Sequence, residues 1–164
     1  MKKLLFAAAM LLSIGANAQI KSANLTASGL TCSMCSKAIY KALLKVPFIQ
    51  NVDVDIEKST YNITFKPGEN VSPAALKKAV EGAGFSVAQL KLIANVPNTT
   101  VTPDAKLSIQ GSSYRIVNAP KQALSGTQTF TVIEKNFLPD AEYKKWIKTA
   151  GIESSAAGVY NVAL

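Results

Sequence analysis

Residues 29–35 read GLTCSMC, and the chain on both sides of them is organised around this stretch. It contains both cysteines of the 164-residue chain, Cys32 and Cys35, three positions apart. Alternating apolar side chains before it predict a strand over 20–28. Apolar side chains at helical spacing after it predict a helix over 33–45. We therefore expect a loop between a strand and a helix, with Cys35 in or next to the first helical turn.

The chain offers few metal ligands besides these two thiols. It has no histidine, and Met34 is the one methionine outside the first 18 residues. Structural zinc takes about four protein ligands, so zinc is disfavoured unless a second chain completes its coordination. Two thiolates suit an ion that accepts low coordination. Soft sulfur favours copper(I), with silver(I) and mercury(II) as chemical relatives and Met34 as a candidate third ligand.

The expected helix start also supports the two sulfurs. Unpaired backbone amides and the positive end of the helix dipole stabilise a bound thiolate. Gly29 would let the loop bend, and Thr31 could accept hydrogen bonds from backbone amides near the helix start. Two alternatives stay open at this point, since a lone C-x-x-C is also typical of thiol-disulfide redox proteins. In an oxidising compartment the pair could instead form a structural disulfide in an interaction module.

The residues around the cysteines resemble the G-M-T-C-x-x-C signature of heavy-metal-associated domains. This family includes copper chaperones, the N-terminal domains of copper-transporting P-type ATPases and periplasmic mercury-binding proteins. The likeness extends over residues of about 20–92. Leu30 stands where the family usually has methionine, a volume-conserving change.

The resemblance implies a carrier rather than an enzyme. It implies that Cys32 and Cys35 bind the ion and pass it by thiolate exchange to a donor or acceptor protein. A copper-transporting ATPase or an efflux component would be such a partner. The resemblance also implies that Phe85 lies close to the metal loop, where it could shield the ion from water.

The first 18 residues have the pattern of a secretory signal peptide. Lys2 and Lys3 are followed by an apolar run over 4–14 and by the small residues Ala16 and Ala18 around a cleavage site before Gln19. A membrane span would need about 20 apolar residues. The sequence therefore predicts a periplasmic or secreted protein without stable membrane insertion after cleavage.

Residues 19–93 are expected to form one domain with the element order β-α-β-β-α-β. Alternation predicts a hairpin of strands over 52–56 and 61–65. Ser72 and Pro73 predict the start of a second helix that ends at Gly82, and a last strand follows Phe85. This order implies a ferredoxin-like α+β fold, with four antiparallel strands and two helices on one face.

Three lysines follow the cysteines at successive i+4 positions of the predicted helix: Lys37, Lys41 and Lys45. Such a stripe is usually a solvated face, but close to a metal loop it could also meet an acidic partner. Without the leader, 16 basic and 10 acidic residues give a net charge of +6. Nucleic-acid binding is not expected, because Arg115 is the single arginine and aromatic residues do not alternate with the basic ones.

The remainder of the chain resembles no family that its residues identify. Residues 94–104 are polar and contain Pro97 and Pro103, which predicts a linker. Residues 105–164 are expected to form a separate small β-rich domain with one helix over 139–150, anchored in its core by Trp146. This segment has no cysteine, histidine or methionine, so it cannot add soft ligands.

Overall fold

The computed structural model describes residues 18–30, 33–117, 119–152 and 155–164. The predicted leader lies outside these ranges, except for Ala18. The described residues form eight strands and three helices. In chain order these are β1 Gln19–Ser28, α1 Ser33–Leu43, β2 Ile49–Asp55, β3 Thr60–Phe65, α2 Pro73–Gly82, β4 Ser86–Val101, β5 Lys106–Ile109, β6 Ser112–Ile116, β7 Gln122–Val132, α3 Asp140–Ala150 and β8 Val159–Ala163.

The first half of the chain, from β1 to β4, has the expected ferredoxin-like arrangement. Its strands lie in the order β2-β3-β1-β4, and all three neighbouring pairs are antiparallel. The helix α1 buries Ile39 and Leu43, and α2 buries Leu76 and Val80. All four belong to the main hydrophobic core with the buried residues of the sheet. The predicted element order is therefore confirmed.

Local backbone chemistry sets the end of α1 and the start of α2. The helix α1 ends at Leu43, two residues earlier than predicted, and tight turns continue the chain to Pro47. The residue before a proline is pushed out of helical geometry. At the start of α2, the Ser72 hydroxyl accepts a hydrogen bond from the Ala75 amide at 3.3 Å, as expected of an N-cap.

The strand β4 is twice as long as the sequence suggested. Residues 94–101, expected to be a linker, instead continue this strand, and β7 pairs with it from Lys91↔Thr131 to Val101↔Gln122. The pairing shifts register between Val96 and Thr99, where Pro97 cannot donate an amide to the ladder. A β-bulge thus accommodates the proline that made this stretch look irregular.

The second half of the chain, from β5 to β8, forms part of the same sheet and is not a separate unit. The full strand order is β2-β3-β1-β4-β7-β8-β6-β5, with β6 and β8 parallel. Buried residues of β5 to β8, including Ile109, Tyr114 and Phe130, belong to the same core as α1 and α2. The structure therefore does not confirm a separate C-terminal domain.

Two side chains of the second half also form hydrogen bonds with the first half, away from the paired strands β4 and β7. Gln110 accepts a hydrogen bond from the Ile20 amide at 3.1 Å and donates one to the Glu69 carbonyl at 2.6 Å. The Tyr160 hydroxyl accepts from the Ala74 amide at the start of α2 at 3.3 Å. The far end of the sheet thus curls back towards the start of β1 and of α2.

A smaller apolar cluster lies between α3 and the sheet. It contains Val117, Ile133, Leu138, Tyr143 and Ile152. Trp146 is half-buried against this cluster, so it packs at its edge and Tyr143 is the buried aromatic of α3. None of the helices in the described ranges has the length and apolar character needed to cross a membrane.

Candidate metal centre

The cysteine-bearing stretch connects β1 to α1, as the sequence predicted. Gly29 follows β1 with φ +84°, a backbone conformation that favours glycine, and Leu30 packs against the main core. Thr31 and Cys32 lie outside the described residues, so their predicted roles stay predictions. Cys35 is the third residue of α1 and is half-buried. Its thiol is thus carried by the first helical turn, near the positive end of the helix dipole.

Phe85 lies beside this loop, where the family resemblance placed it. A Cβ atom on Gly29 would stand 3.9 Å from Cδ1 of the Phe85 ring. The ring is half-buried and packs on the main core, while the preceding Gly84 has φ +89°. The backbone amide of Phe85 donates to the Val80 carbonyl at 3.2 Å, which fixes the residue to the end of α2. The loop and the ring therefore approach each other from two different elements.

Tyr61 lies beneath the first turn of α1. It is fully buried on β3, and its hydroxyl donates to the Ser36 carbonyl at 3.4 Å. Burial raises the pKa of its phenol; the Ser36 hydrogen bond lowers that pKa, and the nearby Cys35 raises it further. Sequence reasoning placed Tyr61 in a strand but gave it no role at the site. The alternation of Tyr61, Ile63 and Phe65 showed which residues share a face, but only the strand register brings Tyr61 to Cys35.

Met34 and Lys37 border an open groove of about 340 Å³ between α1 and the end of β2. Met34 is 70 % exposed. Lys37 and Lys41 on α1 are exposed, and so is Lys45, which lies in the turn after the helix and not on its face as predicted. The carboxylates of Asp53 and Asp55 belong to β2, and Asp55 pairs with Lys58 at 3.1 Å.

The structure thus brings Gly29, Met34, Cys35 and Phe85 to one end of the molecule, with Lys37 beside them. Among the residues that it describes, no group of three or more histidine, cysteine, aspartate or glutamate side chains is placed to hold a metal ion. The described part of this centre therefore contributes one thiolate donor. The other cysteine of the chain, Cys32, is three positions earlier in the sequence and lies outside the described residues.

Comparison with known proteins places the chain in a family. Residues 24–86 match the model of the heavy-metal-associated domain. The chain is also 36% identical over 86 residues to a "Mercuric transport protein periplasmic component" of Pseudomonas fluorescens, a match that covers 52% of this chain and 93% of the relative. The chain belongs to the heavy-metal-associated domain family. The resemblance over residues 20–92 is thereby confirmed.

Two other relatives are much longer than this chain. A "Copper-exporting P-type ATPase" of Bacillus subtilis (strain 168) is 32% identical over 60 residues, which are 37% of this chain and 7% of the ATPase. A "Mercuric reductase" of Serratia marcescens is 33% identical over 76 residues, which are 46% of this chain and 15% of the reductase. This chain therefore matches only a small part of these two relatives.

Solved structures of heavy-metal-associated domains align with less than half of this chain. One titled "crystal structure of Oxidized MerP from Ralstonia metallidurans CH34" is 35% identical, with a TM-score of 0.37, and covers 41% of this chain and 94% of its own. Another, titled "CopZ metallochaperone", is 24% identical, with a TM-score of 0.38, and covers 41% of this chain and 98% of its own.

Proposed function

We propose that this protein binds a soft metal ion between the thiolates of Cys32 and Cys35 and transfers it to a partner protein. Copper(I) is the first candidate ion. The observation that carries the proposal is the position of Cys35, half-buried in the first turn of α1 and three positions after Cys32 in the sequence. Family membership supports metal binding. The two sulfurs would suit an ion of low coordination number.

Transfer would proceed by ligand exchange. A thiol of the partner loses its proton and binds the metal, so that three sulfurs hold the ion for a short time. One of the two cysteines then leaves and takes up a proton, and the second exchange repeats this at the other cysteine. No electron is transferred in either step. A protein that works in this way is a carrier rather than an enzyme.

The exposed lysine stripe would face the partner. Lys37 lies two residues after Cys35, Lys41 follows on the same exposed face of α1, and Lys45 is exposed in the turn after the helix. Charges at the rim of an interface mainly raise the rate of encounter and orient the partner. We therefore expect an acidic surface on the metal donor or acceptor, such as a copper-transporting ATPase or efflux component.

The place of action would be outside the cytoplasmic membrane. The signal-peptide pattern of the first 18 residues supports export. The name of the Pseudomonas fluorescens relative also describes a periplasmic protein. In that compartment, bound metal or a reductant must keep the two thiols from forming a disulfide.

Anaerobic titration with copper(I) against a chromogenic chelator tests metal binding. We expect one ion per chain, loss of binding in the Cys32→Ser and Cys35→Ser variants, and weaker binding as the pH falls, because protons compete for the thiolates. Ser108→Ala, which changes an exposed hydroxyl on β5, is the control and should bind like the wild type. One ion per two chains would contradict the two-sulfur site and favour a shared four-sulfur site, which zinc could occupy.

Mercury(II) is the second candidate ion. The relative that the chain covers almost completely is named as a mercuric transport protein, which favours this ion specifically. Competition between mercury(II) and copper(I) for the same protein would rank the affinities of the two ions. Silver(I) has the same preference for sulfur and would serve as a redox-inert substitute for copper(I).

The redox alternative predicts a different result. A thiol-disulfide catalyst would reduce insulin and have a more oxidising potential than a structural disulfide. We expect no insulin reduction above that of the Cys32→Ser variant. Reduction well above that level would replace the carrier with a redox protein.

A further inference from the structure

An apolar groove borders the cysteine loop on the side of β2. Met34 and Tyr40 of α1 form one wall, and Val54 of β2 and Ile56 in the turn after it form the other, around a volume of about 340 Å³. Met34 is 70 % exposed and Ile56 is 56 % exposed. Both are among the few large apolar side chains that the described residues leave open to solvent, and they share this groove.

The geometry of the two elements explains why the groove is left open. Residues 52 and 54 share one face of β2, and Ile56 lies in the turn directly after Asp55, the last residue of the strand. Val52 is 5 % exposed under α1, Val54 is half-buried and Ile56 is open, so this apolar row passes beyond the cover of the helix. The helix begins only at Ser33. The described structure therefore provides no cover for the last residue of the row.

One charged side chain lines the groove, and it is basic. Lys37 is the single charged residue among those that line it, and Lys41 follows four positions later on the same exposed face. The carboxylate of Asp55 alternates to the opposite face of β2 and is held by Lys58 at 3.1 Å. A surface that complements this groove would therefore combine an apolar side chain with a carboxylate.

We propose that the groove binds an apolar side chain of the protein that exchanges metal with this one, while a carboxylate of the same protein pairs with Lys37. This inference rests on the proposed function and specifies its partner. Met34 immediately precedes Cys35, so a side chain seated in the groove would hold the thiol of the partner close to the bound ion. Apolar anchors in pockets commonly supply most of the binding energy of an interface, and rim charges add orientation.

Four synthetic peptides with one cysteine each can test the groove without knowledge of the natural partner. They combine leucine or serine with glutamate or lysine beside the cysteine, and the rate at which each removes copper(I) from the loaded protein is measured. We expect the leucine–glutamate peptide to be fastest, by about tenfold over the serine–lysine peptide. Ile56→Ser should abolish the advantage of leucine, and Lys37→Gln the advantage of glutamate.

Matched variants elsewhere on the surface control for general effects. Leu44→Ser removes a 43 % exposed apolar side chain that does not line the groove, and Lys78→Gln removes an exposed charge on α2. Both should keep the wild-type order of the four peptides. Equal rates for all peptides, or the same losses in the control variants, would overturn the proposal.

Two other outcomes have separate meanings. Self-association of the wild type that Ile56→Ser abolishes would assign the groove to a second copy of this chain and overturn the proposal. A wild type that takes up no copper(I) in the preceding titration would reject the proposed function, and this inference with it. Normal uptake without discrimination among peptides rejects the groove alone.

Discussion

Gly29 provides the backbone geometry with which the cysteine loop begins. Its φ of +84° lies in the left-handed region, whereas the space around it is open, with Phe85 Cδ1 3.9 Å from the position of a Cβ atom. An alanine would fit beside Phe85 but would strain the backbone. The requirement for glycine is thus conformational rather than steric.

Replacement of this glycine should therefore lower stability. We expect Gly29→Ala to reduce the free energy of unfolding by about 1–2 kcal/mol, the cost of a left-handed conformation for a residue with a side chain. Gly82→Ala is the matched control, because Gly82 is the last residue of α2 and nothing lies within 4 Å of its Cβ position. It should be neutral or stabilising by up to about 1 kcal/mol. Equal effects of both variants in urea denaturation would contradict this explanation.

Sequence reasoning identified the site residues that belong to a local pattern. The spacing of the cysteines and the glycine before them indicated Cys35 and Gly29, and the family resemblance indicated Phe85. It missed Tyr61 and Ile56, which approach α1 from β3 and from the end of β2. Their proximity depends on strand register, which alternation alone does not determine.

At the scale of elements, β7 covers what would otherwise be the free edge of β4. Ile63, Ala23, Leu92 and Phe130 face each other in turn across β3, β1, β4 and β7, and all four are buried. This row carries the core of the first half into the second. Exposed strand edges invite unwanted pairing, so the second half also protects the metal-binding half from aggregation.

Phe130 should therefore contribute to the stability of the entire sheet. We expect Phe130→Ala to lower the free energy of unfolding by about 3–5 kcal/mol, because it opens a cavity in the shared core. Thr129→Ala changes an adjacent exposed side chain on the opposite face of β7 and should alter stability by less than about 0.5 kcal/mol. A loss below about 1 kcal/mol in Phe130→Ala would show that β7 packs only loosely on β4.

The elements of the first half could be predicted because their signals are local. Alternation, the Ser72 and Pro73 start and the Gly82 end of the second helix all lie within or next to the elements that they define. The length of β4 could not be predicted, because Pro97 and its polar neighbours are typical of a linker. Pairing with β7, about 30 residues later, overrides that local preference through a bulge.

At the scale of the molecule, the two halves share one sheet and one main core. The hydrogen bonds of Gln110 to Ile20 and Glu69, and of Tyr160 to Ala74, add contacts between the halves away from the sheet. Compact units that share a core unfold together. The second half would thus act as a fixed extension of the metal-binding half.

Unfolding should accordingly be a single transition. Trp146 is the only tryptophan and lies on α3, so its fluorescence reports the second half, whereas far-ultraviolet circular dichroism reports all helices and strands. We expect both signals to have the same midpoint in urea, and Phe130→Ala to shift them together. Two separated midpoints would instead support the independent C-terminal domain that the sequence suggested.

The sulfurs of Cys32 and Cys35 should be the atoms that hold the metal. The copper K-edge X-ray absorption spectrum of the protein, loaded anaerobically with copper(I), measures which atoms surround the ion. We expect a first coordination shell of sulfur alone, which is lost when both cysteines are changed to serine. Nitrogen or oxygen atoms in that shell, or an unchanged spectrum in the double-serine variant, would contradict this expectation.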